Sequence, residues 1–404
     1  MKNTPNNFTV EPAFMLLFST HLSKPFSGFG TLPPDVTPFS PEEEQAYLAQ
    51  FVDFEGRLLG DTFLETHRIT RWPLGRVQLS RTKSDAPSYA DVSLIVHKSG
   101  VALWEAWFPA ASQTLDAARW IAWLDQDADD GLPAQLWKIL APINRHITGS
   151  DTWSGLYFPT TLIRASQYPF DTIIDSHGSD IIRLLFLDHS PWSFRADVVR
   201  EELEDNYCMR EGGLTLFGRR SAVDVYARER GSDDTSLPGL PPRAAYPLII
   251  TTEILLIERA TLQHVYGRLS QSTLRSVDEL LALKQEVLDA LEEYYGAITT
   301  ATRFSEAVTT NGEQLLGIID LYEAVMDRLE SVSFDITTRY QKRQTVLQFW
   351  LTIVFGALEI GWLASGIASW YYPAPALFPV LVWTIGATLA AALILSLALR
   401  KQIE

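Results

Sequence analysis

Glu359 stands near the middle of TIVFGALEIGWLASGIASWYY (352–372), an otherwise apolar run of membrane-spanning character. A carboxylate at mid-bilayer costs roughly 2.5–3.5 kcal/mol on insertion scales, so such a residue faces protein or water rather than lipid. Steps of three and four place Thr345, Gln348, Thr352, Gly356, Glu359, Leu363 and Gly366 on one helical face, continued upstream by Gln341. Val346, Phe349, Trp350, Ile353, Val354 and Ile360 fill the rest of that helix. Two chemistries are open to the stripe. Several copies could line a water-filled pore with it, since acidic rings favour cations. Alternatively it packs on a second span, with Glu359 bonded to Thr384 or Thr388. A plain membrane anchor is the third case.

Other reactive residues are sparse. Arg219 and Arg220 follow Gly218 and could hold a small anionic ligand, or they are a solvated hairpin tip. Asp175, His177, Asp188 and His189 could approach a metal, but their spacing does not require one, and ordinary surface or core roles are expected. No phosphate loop, zinc helix, nucleophile elbow or dinucleotide-binding glycine fingerprint is present. The glycine pair in FSGFG (26–30) reads as a turn. The expectation is a sensor or scaffold domain rather than an enzyme.

The elements that position these residues follow from hydropathy. Two stretches, about Val346–Trp370 and Leu377–Leu399, meet the length of about 20 apolar residues that a span needs. Between them YYPAPA, with Pro373 and Pro375, allows only an antiparallel hairpin, and Trp370, Tyr371 and Tyr372 form an aromatic belt there. Arg339, Lys342 and Arg343 precede the hairpin, Arg400 and Lys401 follow it, and the turn is uncharged. By the positive-inside rule both termini are cytoplasmic, in an inner or plasma membrane.

The net charge of −16 lies in residues 1–344, because beyond Gln344 only Glu359, Arg400, Lys401 and Glu404 are charged. An acidic body argues against nucleic acid as a partner and suits cations. One cysteine, Cys208, excludes an internal disulfide framework. The apolar patch Phe14–Phe18 is too short for a signal-peptide core, so the N-terminal body is expected to stay where it is made.

The chain divides by pattern into a head (1–250), a helical stalk (251–344) and the membrane hairpin (345–404). Strand–turn–strand patterns occupy 91–108, turning at Lys98-Ser99-Gly100, and 212–229, turning near Gly218. Residues 180–190 read as a buried strand, and 114–126 and 192–207 as helices. Connections fall at 32–41 and 236–242. The head is therefore α+β or α/β. In the stalk, Leu262, Leu269, Val277, Leu280, Leu288, Leu291 and Ile298 mark one helix over about 252–307. Leu315, Ile318, Tyr322, Val325, Leu329, Val332 and Ile336 mark a second, heptad-like one. TTNG (309–312) is the expected break between them, as C-cap or turn. No proline interrupts 248–372, so the second helix can run straight into the first span, about 85 Å from Glu313 to Trp370. A dimerisation coiled coil is the plainer alternative.

This order of parts resembles the CorA family of divalent-cation channels: an acidic cytoplasmic α/β domain, long stalk helices, a pore-lining first span, a short turn and a second span with a basic end. The family's Gly-Met-Asn signature, Gly-Ile-Asn in zinc-transporting relatives, corresponds to Gly366-Ile367-Ala368 here, with alanine in place of the asparagine. The resemblance implies a homo-oligomer, a pentamer in that family, in contact with lipid and metal ions. It implies Mg²⁺ or another divalent cation as transported or regulatory ion, though the asparagine credited with holding the hydrated cation is gone. Divergent CorA-like proteins also act as nucleotide-signalled membrane effectors.

Overall fold

The computed structural model describes residues 8–59, 69–79, 86–153, 155–165, 168–190, 192–226, 245–270, 279, 281–285, 302–371 and 377–403. It forms two compact units, residues 1–273 with 281–327, and residues 274–280 with 328–404.

The first unit is α+β. Its strands are β1 (Thr9–His21), β2 (Val36–Thr37), β3 (Ile69–Gln78), β4 (Tyr89–His97), β5 (Val101–Pro109), β6 (Gln113–Thr114), β7 (Tyr157–Arg164), β8 (Gly213–Phe217) and β9 (Ala222–Tyr226). They join in the order β2-β3-β4-β5-β1-β7-β9-β8, with β6 on the start of β1. All pairings are antiparallel except β7 with β9. The two hairpins expected from turn chemistry are β4–β5 and β8–β9. The patch Phe14–Phe18 is the middle of β1, the sheet's central strand, and all five residues are buried. Alternation disappears there because both faces of the sheet are covered. Phe14, Leu16 and Phe18 join one core with Trp104, Trp120 and Leu136.

Nine helices among the described residues complete the chain: α1 (Pro41–Leu59), α2 (Ala117–Leu124), α3 (Leu132–Thr148), α4 (Phe170–Phe186), α5 (Ala196–Glu204), α6 (Tyr246–Ser270), α7 (Arg303–Leu315), α8 (Ile318–Tyr371) and α9 (Leu377–Ile403). Three expectations need correction. Residues 180–186 end helix α4 instead of forming a strand. Ile173, His177, Ile181, Ile182, Leu184 and Leu185 are its buried face, and the helix ends where Leu187 turns left-handed and its N–H reaches the Arg183 carbonyl. Helix α6 is no stalk arm. From Tyr246 to Leu262 nearly every residue is buried, Arg259 and Pro247 being half-buried, and only its last two turns carry exposed side chains, at Gln263, Tyr266, Arg268 and Ser270. The expected boundary at 250/251 therefore falls inside a core helix, beside buried Thr251 and Thr252.

The expected break at 309–312 is also displaced. Those residues lie within α7, where Gly312 is small because Leu255 and the Phe217 ring pack against it. The chain turns at Gly317, whose φ of +65° favours glycine. Helix α8 then continues without a break from Ile318 to Tyr371. Ile318, Val325 and Leu329 of the expected seam are buried, Val332 and Ile336 half-buried, and Tyr322 exposed. Val277, Leu280, Leu288, Leu291, Ile298, the 236–242 connection and the Pro373–Pro375 turn lie outside the described residues.

Candidate functional site

Two places hold the residues singled out from the sequence. In the second unit, α8 and α9 each carry a segment long and apolar enough to cross a membrane. They pack through small residues. Ile353, Ala357, Gly361 and Ala368 form the buried face of α8, and on α9 Ala391 is buried while Thr384 and Thr388 are half-buried. Gly361 sits so close to Thr388 that a Cβ there would collide with its hydroxyl. This is the small-residue approach that lets two helices pack without long side chains.

The polar stripe lies elsewhere on α8. Thr345, Gln348, Thr352, Glu359, Leu363 and Gly366 are exposed and Gly356 is half-buried. Thr345 and Thr352 donate to the carbonyls of Gln341 and Gln348, 2.9 Å in each case, which leaves Gln348 and Glu359 as the stripe's uncommitted polar groups. Thr384 and Thr388 likewise donate to backbone within α9, at 2.7 and 2.8 Å. A bond from Glu359 to either threonine is not formed. Of the signature-like triplet, Gly366 and Ile367 are exposed, while Ala368 belongs to the buried face.

In the first unit, Arg219 and Arg220 occupy the β8–β9 turn, closed by the Gly218 N–H donating to the Ser221 carbonyl at 2.9 Å. They line a cavity of about 750 Å³. Arg259 of α6 lines the same cavity, half-buried; burial, and next the charge of Arg219, press its protonation downward. Apolar walls come from Leu256, Leu124, Leu156 and Tyr157, whose hydroxyl donates to the Leu124 carbonyl at 2.7 Å. Leu315, Leu316, Gly317 and Leu321 supply another wall, where α7 gives way to α8. Asp125, Asp127 and His189 also line it, and His189 lies 3.6 Å from Asp125. Sequence reading missed Arg259. The usable signal was that three charged residues, Glu253, Glu258 and Arg259, interrupt a mostly apolar helical run, LIITTEILLIERATL.

The other three metal candidates do not join His189 at this cavity. His177 meets Asp180 at 2.9 Å and stands edge-on to Phe8, Asp188 accepts from Ser190 at 2.7 Å, and Asp175 is exposed. Among the described residues no group of three or more His, Cys, Asp or Glu is arranged to hold a metal.

A buried charge cluster escaped sequence reading altogether. Arg71 of β3 reaches Glu55 of α1 at 2.8 Å, Glu105 of β5 at 3.2 Å and Glu253 of α6. Tyr47 and Ser93 each bond to Glu105 at 3.1 Å. Burial pushes Glu253 up to about 8, against the pull of Arg71, and also raises Glu105. One guanidinium faces three buried acids, and this excess of acid favours the protonated forms of Glu253 and Glu105.

Compared with protein-family models, curated proteins and solved structures, the chain has no significant match.

Proposed function

We propose that the protein is a homo-oligomeric, CorA-like membrane channel for cations and not an enzyme, with α8 lining the pore and the first unit in the cytoplasm controlling it. The observation that carries this reading is the stripe from Thr345 to Gly366, which the α8–α9 packing leaves exposed with Glu359 in it. A mid-span carboxylate that its own hairpin does not cover needs water or another subunit. Copies of α8 around a water-filled axis supply both, and a ring of carboxylates selects positive charge. The basic flanks at Arg339, Lys342, Arg343, Arg400 and Lys401 support cytoplasmic termini in an inner or plasma membrane. The CorA resemblance supports five subunits and a divalent ion such as Mg²⁺; Ala368, where the family has asparagine, leaves the ion unassigned.

Cation flux into liposomes carrying the wild type and Glu359→Ala tests the proposal. Loss of flux or of cation selectivity in the variant is expected; unchanged flux and selectivity remove Glu359 from the pore. Native mass spectrometry supplies the stoichiometry, and a monomer or dimer would favour a non-conducting, membrane-tethered scaffold.

A second reading is a membrane effector opened by an anionic ligand. It is favoured by the arginine-lined cavity, part of whose wall is the turn from which α8 begins.

A further inference from the structure

Three arginines line one cavity, and among the described residues none of them makes an ion pair with a carboxylate. Arg219 and Arg220 come from the β8–β9 turn, Arg259 from the buried helix α6. Arginines brought together usually meet an acidic side chain, because like charges repel and a half-buried cation loses hydration. Here the nearest acidic lining is already engaged or outlying. Asp125 faces His189 and accepts the Asp127 N–H at 2.9 Å, and Asp127 is exposed. Arg219 and Arg220 are exposed at the cavity's rim, whereas Arg259 is half-buried beside the charge of Arg219, which an entering anion would offset.

We propose that this cavity binds a small organic phosphate, with the phosphate on Arg259, Arg219 and Arg220 and the apolar body against Leu256, Leu316 and Tyr157. Planar guanidinium forks match phosphate oxygens in pairs, and three of them exceed what a single carboxylate can neutralise. A volume of about 750 Å³ is far larger than inorganic phosphate needs and lies in the ordinary range for organic ligands. The leucines and the Tyr157 ring give the remainder of such a molecule an apolar surface. An occupant also touches Leu315–Gly317 and Leu321, where Gly317 accepts the Leu321 N–H at 3.1 Å to start α8. Binding would fix that turn and thereby bias the start of the helix. This consequence rests on the effector reading above, whereas the binding does not.

The test is titration calorimetry on the full chain in detergent at low salt, with phenyl phosphate, inorganic phosphate and benzoate as probes. Phenyl phosphate should bind at least tenfold more tightly than the other two. Arg259→Gln and Arg219→Gln should each weaken it at least tenfold. Arg219 lies on an exposed turn, so its variant keeps the fold, which circular dichroism verifies. Hydrogen exchange at the amides of residues 316–321 should slow when phenyl phosphate is bound. Absence of phenyl phosphate binding, equal binding by Arg219→Gln, or equal affinity for benzoate would each overturn the assignment. Liposome flux through the wild type without added ligand tests the channel separately, so failure of one does not imply failure of the other.

Discussion

Arg71 donates to both carboxyl oxygens of Glu253, a buried two-point contact that ties the sheet to the helix covering it, with side chains 4% and 1% exposed. Bidentate geometry and near-complete exclusion of water make this contact different in kind from the exposed pair Arg195–Asp197. The Arg71 guanidinium also lies over the Phe51 ring at 3.8 Å, so β3, α1, β5 and α6 all meet at one side chain.

Removing that side chain leaves three buried carboxyl groups without their shared donor and cation. Arg71→Leu should therefore destabilise the protein by about 3–5 kcal/mol, the range for breaking one side of a buried ion pair. Chemical denaturation of the first unit's signal in the full chain measures it. A loss under about 1 kcal/mol would mean that the cluster is held by its protons and hydroxyls rather than by the guanidinium.

The same cluster sets a pH dependence. Glu253 holds its proton up to about 8 in the folded protein, against 4.5 for an ordinary glutamate. Between those values the folded state binds a proton that the unfolded state has released, so stability falls as pH rises through the window. Glu258, raised by burial and then by the charge of Glu313, acts in the same direction. Thermal unfolding followed from pH 4.5 to about 8 should show this decline, and Glu253→Gln should make it shallower. An unchanged slope in the variant would place the titration elsewhere.

How much of this was legible depended on whether a pattern had one physical cause. The β4–β5 and β8–β9 hairpins carry turn residues between β-rich runs, and both form where expected. Residues 180–186 misled because Ile-Ile and Leu-Leu-Phe satisfy a buried strand and a buried helix alike. Helix α6 misled for a related reason: Leu262 and Leu269 fit a heptad-like subset, but the burial of nearly every residue from Tyr246 to Leu262 puts the helix inside the first unit's core. In Asn311-Gly312 the glycine is small for packing, and turning is left to Gly317. Arg71 was invisible in sequence, since a cluster drawn from α1, β3, β5 and α6 has no local spacing. Arg219 and Arg220 were found, but the cavity needed the fold to bring Arg259 to them.

Gly317 gives a direct check on where α7 ends. Open space lies where a methyl group on its Cα would point, so only its left-handed backbone resists substitution. Gly317→Ala should cost about 1–2 kcal/mol, the ordinary penalty for placing a side chain at positive φ. Gly366→Ala also enters open space, but in a helix, and should be neutral or slightly stabilising. Equal effects of the two substitutions on thermal unfolding would contradict the turn at 317.

The α8–α9 packing can be tested through a single pair. A methyl group at Gly361 would strike the Thr388 hydroxyl, while Ala357 and Ala368 on the same face already fit. Gly361→Ala should lower the melting temperature in detergent. Thr388→Ala alone should change it little, because among the described residues that hydroxyl bonds to the Thr384 carbonyl of its own helix, at 2.8 Å, and not across to α8. The double variant should recover most of the loss, since the threonine's removal opens the space the methyl group needs. Coupling between contacting residues of this kind runs at about 0.5–3 kcal/mol. Additive effects would mean that Gly361 and Thr388 do not touch in the folded protein. The small-residue face would then be free to meet another subunit, and the stripe carrying Glu359 would lose its claim to be the face left for the pore.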